Sequence, residues 1–69
     1  MKTAIVTGAG AGIGKAISEK LSKNNYRVGM LDLNQENVSN ASKKIQNSMS
    51  LYADVTNEES VKKAFEKFG

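Results

Sequence analysis

Four glycines within residues 7–14 carry the clearest chemical signal in this sequence, Thr-Gly-Ala-Gly-Ala-Gly-Ile-Gly. The stretch follows an apolar, strand-like run and precedes apolar residues at helical spacing, which indicates a strand-to-helix turn. The first N–H groups of a helix have no partner within the helix, and the helix dipole places about half a positive charge there. Because glycine has no Cβ, the backbone can approach a pyrophosphate closely. The stretch therefore predicts a phosphate-binding turn.

The spacing of the glycines separates three kinds of phosphate loop. The common dinucleotide pattern G-x-G-x-x-G fails because its third glycine would fall on Ile13 or Lys15. The pattern G-x-x-x-x-G-K-[S/T] fails because Ala9 and Ala16 stand where a glycine and a hydroxyl residue are required. The pattern that fits is G-x-x-x-G-x-G, with its glycines at Gly8, Gly12 and Gly14.

With Thr7 before the first glycine and Ile13 between the last two, the loop resembles the cofactor loop of the short-chain dehydrogenase/reductase family. The resemblance implies an oxidoreductase that transfers hydride between a nicotinamide dinucleotide and an alcohol or ketone. It also implies which loop residues contact the cofactor, namely Gly8, Ala11, Gly12, Ile13 and Gly14.

Acidic residues follow the second and third predicted strands. Asp32 is close to where a dinucleotide fold places the carboxylate that binds the adenosine ribose. In the family that the loop resembles, members that prefer NADP offset its extra phosphate with a basic residue at the positions of Ala11 or Leu33, and neither is basic here. Repulsion between Asp32 and a 2′-phosphate therefore predicts NAD as the cofactor. We expect Leu33, the next residue, to lie beside the bound NAD. The resemblance implies that Asp54 and the backbone of Val55 bind the adenine.

Composition excludes several functions. The 69 residues include no Cys and no His, which rules out disulfides, thiolate chemistry, the usual zinc sites and imidazole-dependent triads. The net charge of +3 comes from basic residues interleaved with acids at helical spacing, which predicts solvated helix faces and no nucleic-acid partner. No apolar run fits a membrane span or a signal peptide, so we expect a cytoplasmic chain without a membrane partner.

Three strands are predicted to hold these residues. Residues 2–7 form an apolar, β-branched run typical of a strand buried on both faces. Residues 26–32 form the second strand, in which Gly29 would let a helix pack closely. Residues 48–53 alternate between polar and apolar side chains, which predicts a half-buried edge strand.

Three helices are predicted from apolar stripes at helical spacing: Ile13, Ala16, Ile17 and Leu21; Val38, Ala41 and Ile45; and Val61, Ala64, Phe65 and Phe68. We expect Asn34 to cap the second helix. Thr56 and Glu59 fit a capping box at the start of the third.

The order βαβαβα predicts an α/β, Rossmann-like fold with three parallel strands in the spatial order 3-2-1. The third helix should cross the opposite face of the sheet from the first two. In a doubly wound fold a fourth strand would then cover strand one. We therefore expect residues 1–69 to be the N-terminal portion of a larger single domain. We also expect the protein to form a homo-oligomer.

No catalytic residue is predicted within these 69 residues. The family's catalytic Ser and its Tyr-x-x-x-Lys pair have no counterpart, because Met30 and Thr56 stand four residues after Tyr26 and Tyr52. Without a proton partner the chain alone should be inactive. Two alternatives are a non-catalytic nucleotide-binding module and a fragment of an S-adenosylmethionine-dependent methyltransferase. The latter usually has an acid where this chain has Thr7.

Overall fold

The computed structural model describes residues 2–69 and shows strands alternating with helices. The elements are β1 (Lys2–Thr7), α1 (Gly12–Lys23), β2 (Tyr26–Asp32), α2 (Gln35–Ser42), β3 (Ser48–Tyr52) and α3 (Glu58–Phe68). All strand pairs are parallel, and β2 lies between β1 and β3. The predicted α/β fold and strand order 3-2-1 are confirmed.

The sheet separates two apolar cores. On one face, Val28 and Met30 of β2 pack with residues of the α2 region, and Val6 and Leu21 lie against them. On the other face, Leu31 and Leu51 pack with α3. Successive β2 residues therefore point to opposite helical layers, as in a strand buried on both faces. The predicted placement of α3 on the opposite face is confirmed.

Gly29 brings α3 close to the sheet. A Cβ at this position would lie 3.0 Å from Leu51 Cδ1, 3.2 Å from Ile5 Cγ1 and 3.3 Å from Phe68 Cδ1. The Arg27 guanidinium lies 4.2 Å from the centroid of the Phe68 ring and donates a hydrogen bond to the Phe68 carbonyl. The end of α3 is thus held on β2 by packing and by a polar contact, which agrees with the role predicted for Gly29.

Burial of β1 and α1 differs from the prediction. Ala4, Ile5 and Val6 are only half-buried, because β1 is an edge strand with a neighbour on one side among residues 2–69. In α1, Ile13 is 81% exposed and Ile17 is also exposed. The predicted stripe of α1 therefore does not form a continuous core face.

The buried position of α1 is a polar residue instead. Ser18 is fully buried, and its hydroxyl donates to the Gly14 carbonyl at 2.9 Å. Because a small residue occupies this position, the helix can lie close to the sheet, and the local hydrogen bond satisfies the hydroxyl. The apolar stripe predicted for α3 also needs one correction, since Phe65 is 49% exposed while Phe68 is 6% exposed.

The helix starts agree with the prediction at α2 and differ at α3. Asn34 caps α2 by accepting a hydrogen bond from the Asn37 N–H at 3.0 Å. At α3, however, the cap is Asn57, which accepts from the Ser60 N–H at 3.1 Å. The predicted capping role of Thr56 is wrong, because its hydroxyl donates instead to Asp54.

Candidate nucleotide-binding site

An open cleft of about 480 Å³ lies at the carboxyl ends of the three strands. Its walls come from the residues that follow each strand: Thr7, Gly8, Asp32, Leu33, Ala53, Asp54, Val55 and Thr56. Open parallel sheets bind ligands at this edge. Five of the predicted cofactor contacts line the cleft. The other four, Ala11, Gly12, Ile13 and Gly14, lie at the start of α1, which begins at Gly12.

Two glycines of the loop need their residue type for backbone reasons. Gly8 has a φ of +65° and Gly12 a φ of +59°, in the left-handed region that side chains disfavour. Apart from the adjoining residues and, at Gly12, the backbone of α1 itself, no atom of the described residues lies within 4 Å of a Cβ built at either position. The space beside both backbones is therefore open to a ligand.

Gly14 needs its residue type for packing. A Cβ at this position would lie 2.2 Å from the Gly8 carbonyl oxygen and 3.0 Å from Ala9 Cα. Both neighbours are backbone atoms, which cannot swing aside as a side chain would. Gly14 thus lets the first turn of α1 rest directly on the preceding loop.

The first N–H groups of α1 receive no side-chain cap. Its N-cap, Ala11, offers no side-chain acceptor, and the first turn contains no acidic residue. By contrast, α2 and α3 each have an Asn cap and an acid in the first turn. The positive end of the α1 dipole is therefore free to interact with an anion.

Asp32 connects the loop after β1 to the start of α2. One carboxylate oxygen, Oδ2, accepts the Gly10 N–H at 2.8 Å, and the other, Oδ1, accepts the Asn34 N–H at 3.0 Å. Each carboxylate oxygen has a second lone pair, so the group can still accept hydrogen bonds from a ligand. The carboxylate is held in a fixed position at the end of β2.

Gly10 is a residue of the site that the glycine pattern did not identify as a contact. A Cβ there would lie 2.9 Å from Asp32 Oδ2 and 3.0 Å from both Asn37 Cβ and Val38 N. The sequence signal for this role is that Gly10 is a glycine at a position where the pattern G-x-x-x-G-x-G accepts any residue. That glycine indicates a close approach of the loop to another part of the chain.

Asp54 is oriented by the residue two positions later. Its Oδ1 accepts the Thr56 hydroxyl at 2.6 Å and the Thr56 N–H at 2.9 Å. These two hydrogen bonds lower the pKa of the Asp54 carboxyl below its ordinary value of 3.8, and the bond from the hydroxyl has the larger effect. Thr56 is therefore a second site residue that sequence reasoning assigned to another role. Asp54 also donates its backbone N–H to the Ser60 hydroxyl at 3.1 Å, which ties the turn to α3.

Residues 2–69 contain no group of three or more acidic side chains placed to hold a metal ion. In the same range no helix combines the length and the apolar character that crossing a bilayer requires.

Comparisons with known proteins agree with this geometry. The family described as short chain dehydrogenase matches residues 2–69. Carbonyl reductase family member 4 of Danio rerio is 36% identical over 67 residues, which cover 94% of this chain and 28% of that protein. The NAD-dependent glycerol dehydrogenase of Listeria innocua is 39% identical over 64 residues, covering 90% of this chain and 25% of that protein.

A solved structure shows the same backbone arrangement. The 3-ketoacyl-(acyl-carrier-protein) reductase from Brucella melitensis, complexed with NADH, superposes with a TM-score of 0.93 at 26% identity. The superposition covers 97% of this chain and 28% of that chain. The chain thus spans about a quarter of the length of the relatives it matches. By fold and by sequence, it belongs to the short-chain dehydrogenase/reductase family.

Proposed function

We propose that this chain is the NAD-binding portion of an oxidoreductase that transfers hydride between a nicotinamide cofactor and an alcohol or ketone. One observation carries the proposal: an uncapped helix start follows a glycine loop and lies beside a carboxylate that is fixed at the end of β2. The names of the relatives support it, because one is an NAD-dependent dehydrogenase and one was solved with NADH.

The loop residues suit the pyrophosphate. The N–H groups at the start of α1 would donate to its oxygens, and the open space beside Gly8 and Gly12 would admit them. Ala11 and Ile13 flank Gly12 and complete the contacts expected from the loop. Bound there, the cofactor supplies the hydride acceptor or donor. The task of these residues is to bind and orient it.

The carboxyl ends of β2 and β3 suit the adenosine. Asp32 retains lone pairs for the ribose hydroxyls, while the exposed Leu33 side chain would cover one side of the adenine. Asp54 uses only Oδ1 to bind Thr56, which leaves Oδ2 to accept from the adenine amine. The Val55 backbone N–H would donate to the ring. All four residues line the same cleft.

Charge favours NAD over NADP in this cleft. A 2′-phosphate about 4 Å from the Asp32 carboxylate would be repelled by about 4 kcal/mol per unit charge at an effective dielectric constant near 20. Neither Ala11 nor Leu33 offsets that repulsion. In this proposal, Asp32 is the residue that discriminates between the two cofactors.

We further propose that residues 1–69 are the N-terminal portion of a larger cytoplasmic, homo-oligomeric protein. The relatives are several times longer, and the chain has no Tyr-x-x-x-Lys pair to transfer the proton that accompanies the hydride. The proton-transfer groups and the substrate site would then lie beyond Gly69.

A titration followed by amide chemical shifts tests the proposal and its methyltransferase rival. NAD⁺ should shift the amides of Ile13 and Gly14 through its phosphates and the amide of Val55 through its adenine. S-adenosylmethionine, which has no phosphate, should leave the Ile13 and Gly14 amides unchanged. Binding of S-adenosylmethionine at the loop without binding of NAD⁺ would overturn the assignment. The Lys2 and Lys67 amides, outside the site, serve as internal controls.

A further inference from the structure

We propose that Asp32 is also a positioning residue for the phosphate-binding loop, which it holds in its binding conformation before any ligand arrives. The inference rests on the proposed function, in which Asp32 selects the ribose. It adds that the same carboxylate orders the loop that binds the phosphates.

The first support is the pair of hydrogen bonds that Asp32 makes to the backbone. Its two oxygens accept N–H groups from the loop after β1, at Gly10, and from the residue that caps α2, Asn34. These partners lie 22 and 2 positions away in the sequence. The carboxylate therefore ties together two segments that the strand ladder does not connect directly. Hydrogen bonds to a charged acceptor are about twice as strong as neutral ones.

The second support is the packing around Gly10. A Cβ at this position would come within 3.0 Å of the Asp32 side chain and of backbone at the start of α2. The loop thus lies against the Asp32 carboxylate as closely as its backbone allows. Next to it, the Ala9 N–H donates to the Leu31 carbonyl at 3.1 Å, which extends the contact along the end of β2.

The third support is the absence of a side-chain cap at the start of α1. The cap residue Ala11 contributes no side-chain hydrogen bond within the described part of the chain. Gly10 is one residue before Ala11, so a bond at Gly10 helps to position the first N–H groups of α1. Loss of that bond should disorder the phosphate site. It should therefore weaken the binding even of a ligand that has no ribose.

Binding of inorganic pyrophosphate separates two effects of Asp32. Loss of its charge and loss of its hold on the loop should change the pyrophosphate affinity in opposite directions. Removing the negative charge of Asp32 should by itself strengthen the binding of an anion nearby. If Asp32 holds the loop, Asp32→Ala should instead weaken pyrophosphate binding, and we expect a loss of about threefold or more. Asp32→Asn retains one acceptor oxygen and should restore part of this loss.

Hydrogen exchange without any ligand gives the direct measurement. In Asp32→Ala, we expect the Gly10 and Asn34 amides to exchange about tenfold faster, since each loses a hydrogen bond to a charged group. The Ala9 amide, which donates to the Leu31 carbonyl, should keep its rate and report that the fold is intact. Glu66→Ala is the control, because it removes an exposed carboxylate on α3, outside the proposed site, and should leave the Gly10 and Asn34 exchange rates unchanged.

Unchanged exchange at Gly10 in Asp32→Ala, or tighter pyrophosphate binding, would overturn the proposal. If the Ala9 amide also accelerates, the fold of that variant is lost, and Asp32→Asn decides by the same two criteria. Failure of the unmutated protein to bind NAD⁺ would contradict the proposed function alone, since the exchange rates are measured without cofactor.

Discussion

At the scale of single residues, the glycines of one short loop have different physical roles. Gly8 and Gly12 permit a left-handed backbone in open space, whereas Gly10 and Gly14 permit close contact with other parts of the chain. The first pair leaves room for a ligand. The second pair fixes the shape of the loop that the ligand meets.

Gly14→Ala should therefore act through the loop. The added Cβ would overlap the Gly8 carbonyl, and we expect a loss of about 2 kcal/mol of unfolding free energy together with a tenfold or greater loss of NAD⁺ affinity. Gly12→Asn is the control for stability, since Asn tolerates a positive φ and its Cβ meets no neighbour. Equal urea melts for the two variants would show that the contact at Gly14 is not rigid.

Asp54 provides a prediction about pH. Its folded pKa is lowered, so its contribution to stability is present above its unfolded pKa and is lost as the pH falls through the folded value, below 3.8. Thr56→Val removes the hydroxyl that is the main cause and should raise the Asp54 pKa toward 3.8. Carboxyl-carbon NMR titration measures this shift. Thr3→Val on β1 should leave the value unchanged, and an unchanged Asp54 pKa in Thr56→Val would contradict the assigned cause.

Sequence reasoning identified Asp32 and Asp54 but not the hydrogen bonds that fix them. The position of an acid at the end of a strand follows from the strand pattern, which is local. The contact between Asp32 and Gly10 spans 22 residues and depends on how the loop folds back toward α2. No periodicity in the sequence predicts a contact between residues that are so far apart in the chain.

At the scale of elements, the end of α3 shows how one aromatic residue anchors a helix. Phe68 packs on the sheet beside Gly29, with the Arg27 guanidinium over its ring, while Phe65 on the same helix is half in solvent. Helical spacing placed both in one apolar stripe. The spacing alone does not reveal how wide a face the sheet covers.

Phe68→Ala should lower the unfolding free energy by about 3 kcal/mol, the cost of removing a buried aromatic side chain. Phe65→Ala is the matched control on the same helix, with an expected cost below about 1 kcal/mol. Urea denaturation of both variants measures the difference. Similar losses would mean that α3 is not packed on the sheet as described.

The start of α3 shows a limit of motif reasoning. Thr56 and Asn57 are adjacent and both can cap a helix, but only Thr56 is followed three residues later by the Glu of a capping box. The choice is made by Asp54, which accepts the Thr56 hydroxyl and leaves Asn57 to cap. A contact outside the helix thus determines where the helix begins.

At the scale of the whole molecule, one side of residues 2–69 remains open. β1 is an edge strand, and Ile13, Ala16 and Ile17 expose apolar side chains on the helix beside it. Unpaired strand edges and exposed apolar surface favour association.

Residues 1–69 on their own should therefore associate or unfold easily. Sedimentation should show reversible association that Ile13→Ser with Ile17→Ser weakens, while Phe65→Ser on the opposite layer has little effect. A strictly monomeric chain with an unfolding free energy above about 5 kcal/mol would contradict this expectation.

The proposed function also gives a prediction about dehydrogenase activity. These residues alone should not turn over NADH with small ketones, because they contain no Tyr-x-x-x-Lys pair. The assay follows NADH absorbance against buffer. Turnover above that background would show that residues 1–69 contain a proton donor.

The discrimination between NAD and NADP tests the central claim most directly. Calorimetric titration of the protein, with any residues that follow Gly69 in its gene, should show NAD⁺ binding at least about a hundredfold tighter than NADP⁺. Asp32→Ala should narrow that ratio, and Asp32→Ala with Leu33→Arg should reverse it. Equal or tighter NADP⁺ binding by the unmutated protein would contradict the role assigned to Asp32.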